Sequence, residues 1–298
     1  MYDIIVIGAG PAGLTAALFA LRSNKKVLVL EAKSYGGQII TASKVENYPG
    51  IKIISGFDFA TSLYNQVKDY GCDIKYETVI RVSEDKEVIT SSNNTYKAKA
   101  VIIATGATNR KLKIANEDKF IGKGISYCAT CDGNFFKNKT VAVIGGGNSA
   151  LEDALYLSDI AFKTYLIYRG DKLKEDNIES NRVKENDNIE IILNSNVTKI
   201  IGEEKLEEIE ITNSDDVKDT LKLDGLFIAV GHEPNNSIFS NVVDLDEKGY
   251  IISHDGVHTK TDGIYVAGDT RVKELRQLTT AVSDGSLAAT IAIREMNK

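Results

Sequence analysis

The sequence predicts an α/β protein in which two units of one kind are joined, the second inserted into the first. Three observations predict this. A glycine-rich turn, Gly8-Ala9-Gly10-Pro11-Ala12-Gly13, stands between an apolar run and an Ala/Leu-rich stretch. The same pattern returns in mid-chain at Gly145-Gly146-Gly147-Asn148-Ser149-Ala150. The length of 298 residues suits two domains of roughly 150 residues, each able to bury its own core.

Taken in order, Tyr2 to Ile7 is a short apolar strand stopped by the first glycine turn, and Leu14 to Leu21 has the composition of a helix. Lys26 to Leu30 is a second buried strand, with Glu31 immediately after it. Thr140 to Ile144, the second glycine turn, Leu151 to Leu157 and Lys163 to Ile167 repeat strand, turn, helix and strand. Each unit then reaches an apolar strand ending in a short A-x-G, Val101 to Gly106 and Leu226 to Gly231. Gly263 to Asp269 is a further strand with an acid at its tip. A helical tail from Thr279 to Met296 follows, too short for a third domain and expected to rejoin the first. The repeat implies two dinucleotide-binding (Rossmann-like, FAD/NAD(P)-type) domains. The expected boundaries are 1–115 and 243–298 for the first domain and 116–242 for the inserted one, with hinges near Asn116 and Val243.

Composition narrows the function classes. A net charge of −6 gives no reason to expect nucleic acid or an anionic membrane surface as partner. No apolar run approaches the ~20 residues of a membrane helix. The first residues, Met-Tyr-Asp-Ile-Ile-Val-Ile, lack the basic region of a cleaved signal. Three cysteines do not make a disulfide scaffold, so the expected compartment is the reducing cytoplasm.

Within the first turn, Gly8 and Gly10 allow a tight bend and a close pyrophosphate, and Gly13 lets helix pack on strand. Glu31, 18 residues past Gly13, is placed to accept from a ribose 2′-hydroxyl. Two such folds commonly hold a flavin in one and a nicotinamide in the other, and Glu31 suits the adenosine ribose of FAD. The same count from Ala150 lands on Tyr168, followed by Arg169-Gly170-Asp171-Lys172-Leu173-Lys174. An NAD site wants a carboxylate there and an NADP site wants arginine on the 2′-phosphate. Arg169 alone offers a guanidinium, so any residual nucleotide site rests on Gly145, Gly147, Ala150 and Arg169.

Cys128-Ala129-Thr130-Cys131 admits half a zinc site, a dithiol/disulfide redox pair, or chance. With no second C-x-x-C in the sequence, and with His254 and His258 far from Cys128 and Cys131 along the chain, no metal site is expected and the redox pair is preferred. Asp132 can exchange a proton with the departing thiolate. Cys72 reads as a small, partly buried residue; His232 shapes a loop, and His254 and His258 are expected to be exposed.

GAGPAG at 8–13, GGQ at 36–38, ENYPG at 46–50, ATGA at 104–107 and CATCDG at 128–133 resemble the low-molecular-weight thioredoxin reductase family. GGGNSALEDALYL at 145–157, AGD at 267–269 and RQLTTAVSDG at 276–285 extend the match over essentially the whole chain. The resemblance implies a homodimeric flavin-dependent thioredoxin-disulfide reductase with FAD as cofactor. In that family the second cysteine, here Cys131, faces the flavin and the first, Cys128, attacks thioredoxin. The cofactor-binding set it implies is Gly8, Gly10, Pro11, Ala12, Gly13, Glu31, Gly37, Gln38, Asn47, Ala104, Thr105, Gly106, Gly268, Asp269, Arg276 and Gln277.

One departure concerns the electron donor. NADPH-using members carry His-Arg-Arg-x-x-x-Arg where this chain has Tyr168-Arg169-Gly170-Asp171-Lys172-Leu173-Lys174. Each lost charge-assisted contact costs ~1.5–3 kcal/mol, so NADPH is disfavoured. A ferredoxin-linked, pyridine-nucleotide-independent branch of the family is similar in this respect, which makes reduced ferredoxin the expected donor. A plant-type ferredoxin near −400 mV and a thioredoxin near −270 mV leave a drop worth about 6 kcal/mol for two electrons. The alternatives are an NADPH-dependent enzyme with a degenerate 2′-phosphate site and, more distantly, a non-catalytic flavin-binding regulator.

Overall fold

A computed structural model describes residues 1–42, 44–173 and 178–297. The chain forms two compact units, 1–108 with 233–298, and 109–232. The second is therefore inserted in the first, but the crossings fall earlier than Asn116 and Val243. Two contacts explain the difference. Glu117, buried, accepts the backbone N–H groups of Leu112 and Lys113 and so ties that segment into the inserted unit. Phe239, Val242 and Val243, all buried, belong to the core of the first unit.

The first unit is built on a seven-stranded sheet. Strand Tyr2–Ile7 lies at its centre, parallel to Val27–Glu31 on one side and Thr95–Ile103 on the other. Ile4 to Ile7 are all buried because a parallel sheet is covered on both faces. Thr95–Ile103 is long enough to serve two partners. Its end pairs in parallel with Ile264–Val266, and its start pairs antiparallel with Glu87–Thr90.

Helix Pro11–Arg22 begins with proline at its first turn, where the missing N–H costs nothing. It packs against the last helix, Leu278–Met296, through small residues: Ala12, Ala16, Ala17 and Ala20 share a core with Ala281, Ala288, Ala289 and Ala292. The approach is close enough that a Cβ on Gly285 would lie 2.1 Å from the Ala12 carbonyl oxygen. The helical tail thus belongs to the first unit.

The inserted unit repeats the plan in a five-stranded parallel sheet with Thr140–Ile144 flanked by Lys163–Ile167 and Gly225–Ile228. Helix Asn148–Ser158 follows its glycine turn. A three-stranded antiparallel sheet, Ser195–Ile201, Glu208–Asn213 and Lys218–Lys222, is added to this unit. Chain crossings occur at Thr108–Asn109 and His232–Glu233, which pair as a short two-stranded sheet. Among the described residues, no helix is long and apolar enough to cross a membrane.

Candidate functional sites

In the first unit the glycine turn is held by contacts that leave no room for side chains. Gly8 has φ +107°, and a Cβ there would sit 2.3 Å from the Ala104 carbonyl oxygen. Gly13 would place a Cβ 1.9 Å from the Gly8 carbonyl oxygen, which is why helix and turn can close on each other. The turn of Gly37 faces Gly10, with Gly10 Cα 3.2 Å from a Cβ built on Gly37. Glu31 accepts from the Ala9 N–H at 2.8 Å through one oxygen and from the Lys33 N–H at 2.9 Å through the other. Each oxygen keeps a lone pair for a further donor, as a sugar hydroxyl would require.

Expected site residues from distant segments pair with one another, and Gly268 reaches the turn itself. Gln38 donates its amide to the Ala107 carbonyl. The Thr105 hydroxyl meets that of Thr270 at 2.9 Å, and Gly106 adopts φ +69°. Gly268, at φ +80°, approaches Ala12 beside Pro11. Arg276 donates to the Asp269 carbonyl oxygen at 3.4 Å and covers the Tyr250 ring at 4.1 Å. Asn47 donates to the Gln277 side chain at 3.1 Å.

Asp269 carries the feature that most directly calls for a ligand. Its Oδ1 is buried and finds no hydrogen-bond partner among the described residues. Burial raises the Asp269 pKa above the usual carboxylate value, while Lys273 and Arg276 pull it back. A buried polar atom without a partner costs ~1–3 kcal/mol, which a bound hydroxyl would relieve. Glycines that let backbone approach closely, a carboxylate at the ribose position and an orphan acid fit an adenine dinucleotide such as FAD.

Three supporting residues were not foreseen from the sequence. Asp284, on the last helix, accepts from the Gly268 N–H at 3.0 Å, from Arg271 at 2.9 and 3.0 Å and from Lys273 at 2.8 Å. Burial opposes its ionisation, yet Arg271 and Lys273 outweigh it and hold the carboxyl below its ordinary value. Asn236 and Thr270, both buried, join at 2.7 Å, and Asn236 also donates to the Gly249 and Thr270 carbonyls. The acid of the SDG segment and the threonine after AGD were visible in sequence, but nothing there paired them with partners.

In the inserted unit, Cys128 and Cys131 form a disulfide. Cys128 caps the one-turn helix Ala129–Asp132, accepting the Cys131 N–H at 3.2 Å on its sulfur. Asp132 accepts from the Ser126 hydroxyl at 2.7 Å, and its other oxygen is buried without a partner among the described residues. Burial raises its pKa, with the Ser126 hydrogen bond opposing. A carboxyl so placed, next in sequence to a redox pair, holds its proton to higher pH than an exposed one. Ser126, which also accepts the Cys128 N–H at 3.0 Å, was missed by sequence reading. Cys72 is buried, and burial pushes its thiol up to about 12, so it carries no thiolate at neutral pH. His258, expected to be exposed, is half-buried against Glu295 at 3.1 Å because the last helix covers it.

The second glycine turn keeps its backbone form. Gly145 has φ +148° and abuts the Ala229 carbonyl as Gly8 abuts Ala104, and a Cβ on Gly145 would lie 2.7 Å from Ala150 Cβ. Gly147 has nothing within 4 Å of its Cβ position. Arg169 and Lys172 are exposed, and Lys174 lies outside the described residues. The position equivalent to Glu31 is Tyr168, so no carboxylate stands at the ribose position of this turn.

Residues 2–285 match the family model described as pyridine nucleotide-disulphide oxidoreductase. A thioredoxin reductase of Listeria innocua is 41% identical over 292 residues, covering 97% of this chain and 92% of the relative. The "34.2 kDa protein in rubredoxin operon" of Clostridium pasteurianum is 40% identical over 294 residues, covering 97% and 96%. The crystal structure of a thioredoxin reductase from Streptococcus pyogenes superposes with a TM-score of 0.94 at 38% identity, covering 100% of this chain and 98% of that one.

Proposed function

The chain belongs to the pyridine nucleotide-disulphide oxidoreductases, among their thioredoxin reductases, and we propose that it is driven by reduced ferredoxin rather than by NADPH. The observation that carries this reading is Tyr168 at the ribose position of an otherwise intact second glycine turn, with Gly170 where the family has arginine. The relative named as a protein in a rubredoxin operon is consistent with an iron-protein donor. FAD, when bound, supplies the redox centre that collects electrons from the donor and gives them to a disulfide.

The protein's own residues divide the remaining work. Glu31, the Gly8–Gly13 turn and Asp269 would hold the dinucleotide. Reduction of the Cys128–Cys131 disulfide takes two electrons and two protons, and the raised Asp132 carboxyl supplies one of those protons. The Cys128 thiol gives its proton to the Asp132 carboxylate, attacks the disulfide of thioredoxin as a thiolate and releases one thioredoxin thiolate, which takes up that proton. Cys131, losing its proton in turn, attacks the resulting mixed disulfide, releases the second thioredoxin sulfur, which takes up that proton, and re-forms Cys128–Cys131. The dithiol has to meet two partners in turn, so the inserted unit is proposed to swing about its crossings at 108–109 and 232–233. A homodimer and a cytoplasmic setting complete the proposal.

An anaerobic titration tests the donor. NADPH, NADH and reduced ferredoxin are added separately to the FAD-loaded enzyme while flavin absorbance is followed, with and without thioredoxin. Ferredoxin should bleach the flavin rapidly and the pyridine nucleotides slowly or not at all. Rapid, saturable bleaching by micromolar NADPH would return the chain to the NADPH-dependent enzymes.

A further inference from the structure

The two glycine turns can be compared position by position through their strand registers. Ile7 pairs with Leu30 in the first unit, and Ile144 pairs with Ile167 in the second. The Gly8 N–H donates to the Leu30 carbonyl just as the Gly145 N–H donates to that of Ile167. Glu31 and Tyr168 are therefore equivalent, and so are Ala9 and Gly146, the middle residues of the two turns.

The equivalent pairs make opposite contacts. Glu31 reaches the Ala9 N–H with a carboxylate oxygen at 2.8 Å. Tyr168 instead lays its ring on Gly146: a Cβ there would lie 2.4 to 2.5 Å from ring atoms Cδ2, Cε2 and Cγ. On the opposite edge of the same ring, a Cβ on Gly170 would lie 2.5 Å from Cε1 and 2.9 Å from Cζ. Both glycines are needed for the ring to fit, since alanine at either would overlap it. The slot is fixed by backbone hydrogen bonds on its far side, from the Asn194 N–H to the Gly170 carbonyl at 3.0 Å and from the Ser195 N–H to the Tyr168 carbonyl at 3.1 Å. The ring also packs on the unit's buried core.

We propose that Tyr168, seated between Gly146 and Gly170, is a plug that occupies the adenosine-ribose position and excludes nucleotides from the second glycine turn. Gly170 then has a positive reason to be glycine, beyond the absence of an arginine. The plug deepens the ferredoxin-linked reading and rests on it for its purpose, but its steric content is independent of the donor. To enter, a nucleotide would have to lift an aromatic ring from the core and from two glycine backbones, with no carboxylate at the ribose position and, among the described residues of the loop, Arg169 alone as a guanidinium in return. The free space at Gly147 leaves the pyrophosphate side of the turn open, so exclusion falls on the nucleoside end.

Isothermal titration of the oxidised, FAD-loaded enzyme with 5′-ADP and with 2′,5′-ADP reads the plug without any turnover. Wild type and Tyr168→Phe, which keeps the ring, should show no binding at micromolar concentrations. Tyr168→Glu, which restores the carboxylate that Glu31 provides in the first unit, should bind 5′-ADP about 10-fold tighter or better. Tyr168→Ala should gain affinity for both nucleotides by emptying the slot. Micromolar binding of either nucleotide by wild type or Tyr168→Phe overturns the proposal. So does a failure of both Tyr168→Ala and Tyr168→Glu to gain affinity while retaining wild-type FAD content and melting temperature. Should either variant fail to fold, the wild-type and phenylalanine titrations still decide. Thioredoxin reduction with dithionite as electron source is measured in parallel, so a failure of the thioredoxin reductase chemistry is seen separately from a failure of the plug.

Discussion

Asp284 shows how a single side chain far in sequence from the glycine turn supports the candidate cofactor site. It accepts the Gly268 N–H and neutralises Arg271 and Lys273, so it holds the turn that presents Asp269. Asp284→Ala would leave two cations without their carboxylate, and losses of this kind cost ~3–5 kcal/mol. The expected outcome is a lower melting temperature together with weaker FAD retention on gel filtration. Asp153 gives a contrasting case. Partial burial, with Glu152 adding repulsion, raises its pKa from 3.8 to about 7. A carboxyl whose folded pKa is raised loses stability as pH climbs from its unfolded value through the folded one. Asp153→Asn is therefore expected to raise the melting temperature more at pH 8 than at pH 4, and equal shifts at both would remove the assigned cause.

At the scale of elements, the contact of helix Pro11–Arg22 with the last helix depends on small residues. Gly285→Val would drive a side chain into the Ala12 backbone and is expected to cost more than the ~1–3 kcal/mol usual for overpacking. Urea unfolding of the FAD-loaded protein measures it. The one-turn helix Ala129–Asp132 sets up a sharper test of roles. Cys131→Ser leaves Cys128 able to attack thioredoxin but removes the group that resolves the mixed disulfide. A covalent complex with thioredoxin should accumulate on non-reducing gels for Cys131→Ser and be absent for Cys128→Ser. The reverse pattern would exchange the two roles. Proton supply is tested at the same helix: wild-type turnover should decline as pH rises through the raised Asp132 pKa, and Asp132→Asn should slow turnover and remove that decline.

For the whole molecule, the two crossings at 108–109 and 232–233 connect the unit carrying the dinucleotide cradle to the unit carrying the dithiol. If the inserted unit swings between partners, thioredoxin turnover should fall as solvent viscosity is raised with sucrose, while dithionite reduction of the flavin stays unchanged. A turnover rate indifferent to viscosity would place the slow step in chemistry and not in the swing. The family, the insertion and the two turns all follow from patterns that repeat locally. Where the units begin does not, because Glu117 and Val243 commit neighbouring segments through contacts that only folding creates.

Sequence alone determined what is written in spacing: strand, glycine turn, helix and acid occur within a few dozen residues, and backbone sterics allow few readings of that order. Counting along it located Glu31 and Tyr168 as equivalents, and the C-x-x-C spacing located the disulfide. The tertiary structure decided what lies between distant segments. Asp284 with Gly268, Asn236 with Thr270, and Ser126 with Asp132 are side-chain pairs whose meaning comes from burial, which removes water and makes each unmet hydrogen bond costly. Tyr168 belongs to both. Its place was countable, but only the fold shows its ring resting on Gly146 and Gly170, the contact from which the plug is proposed.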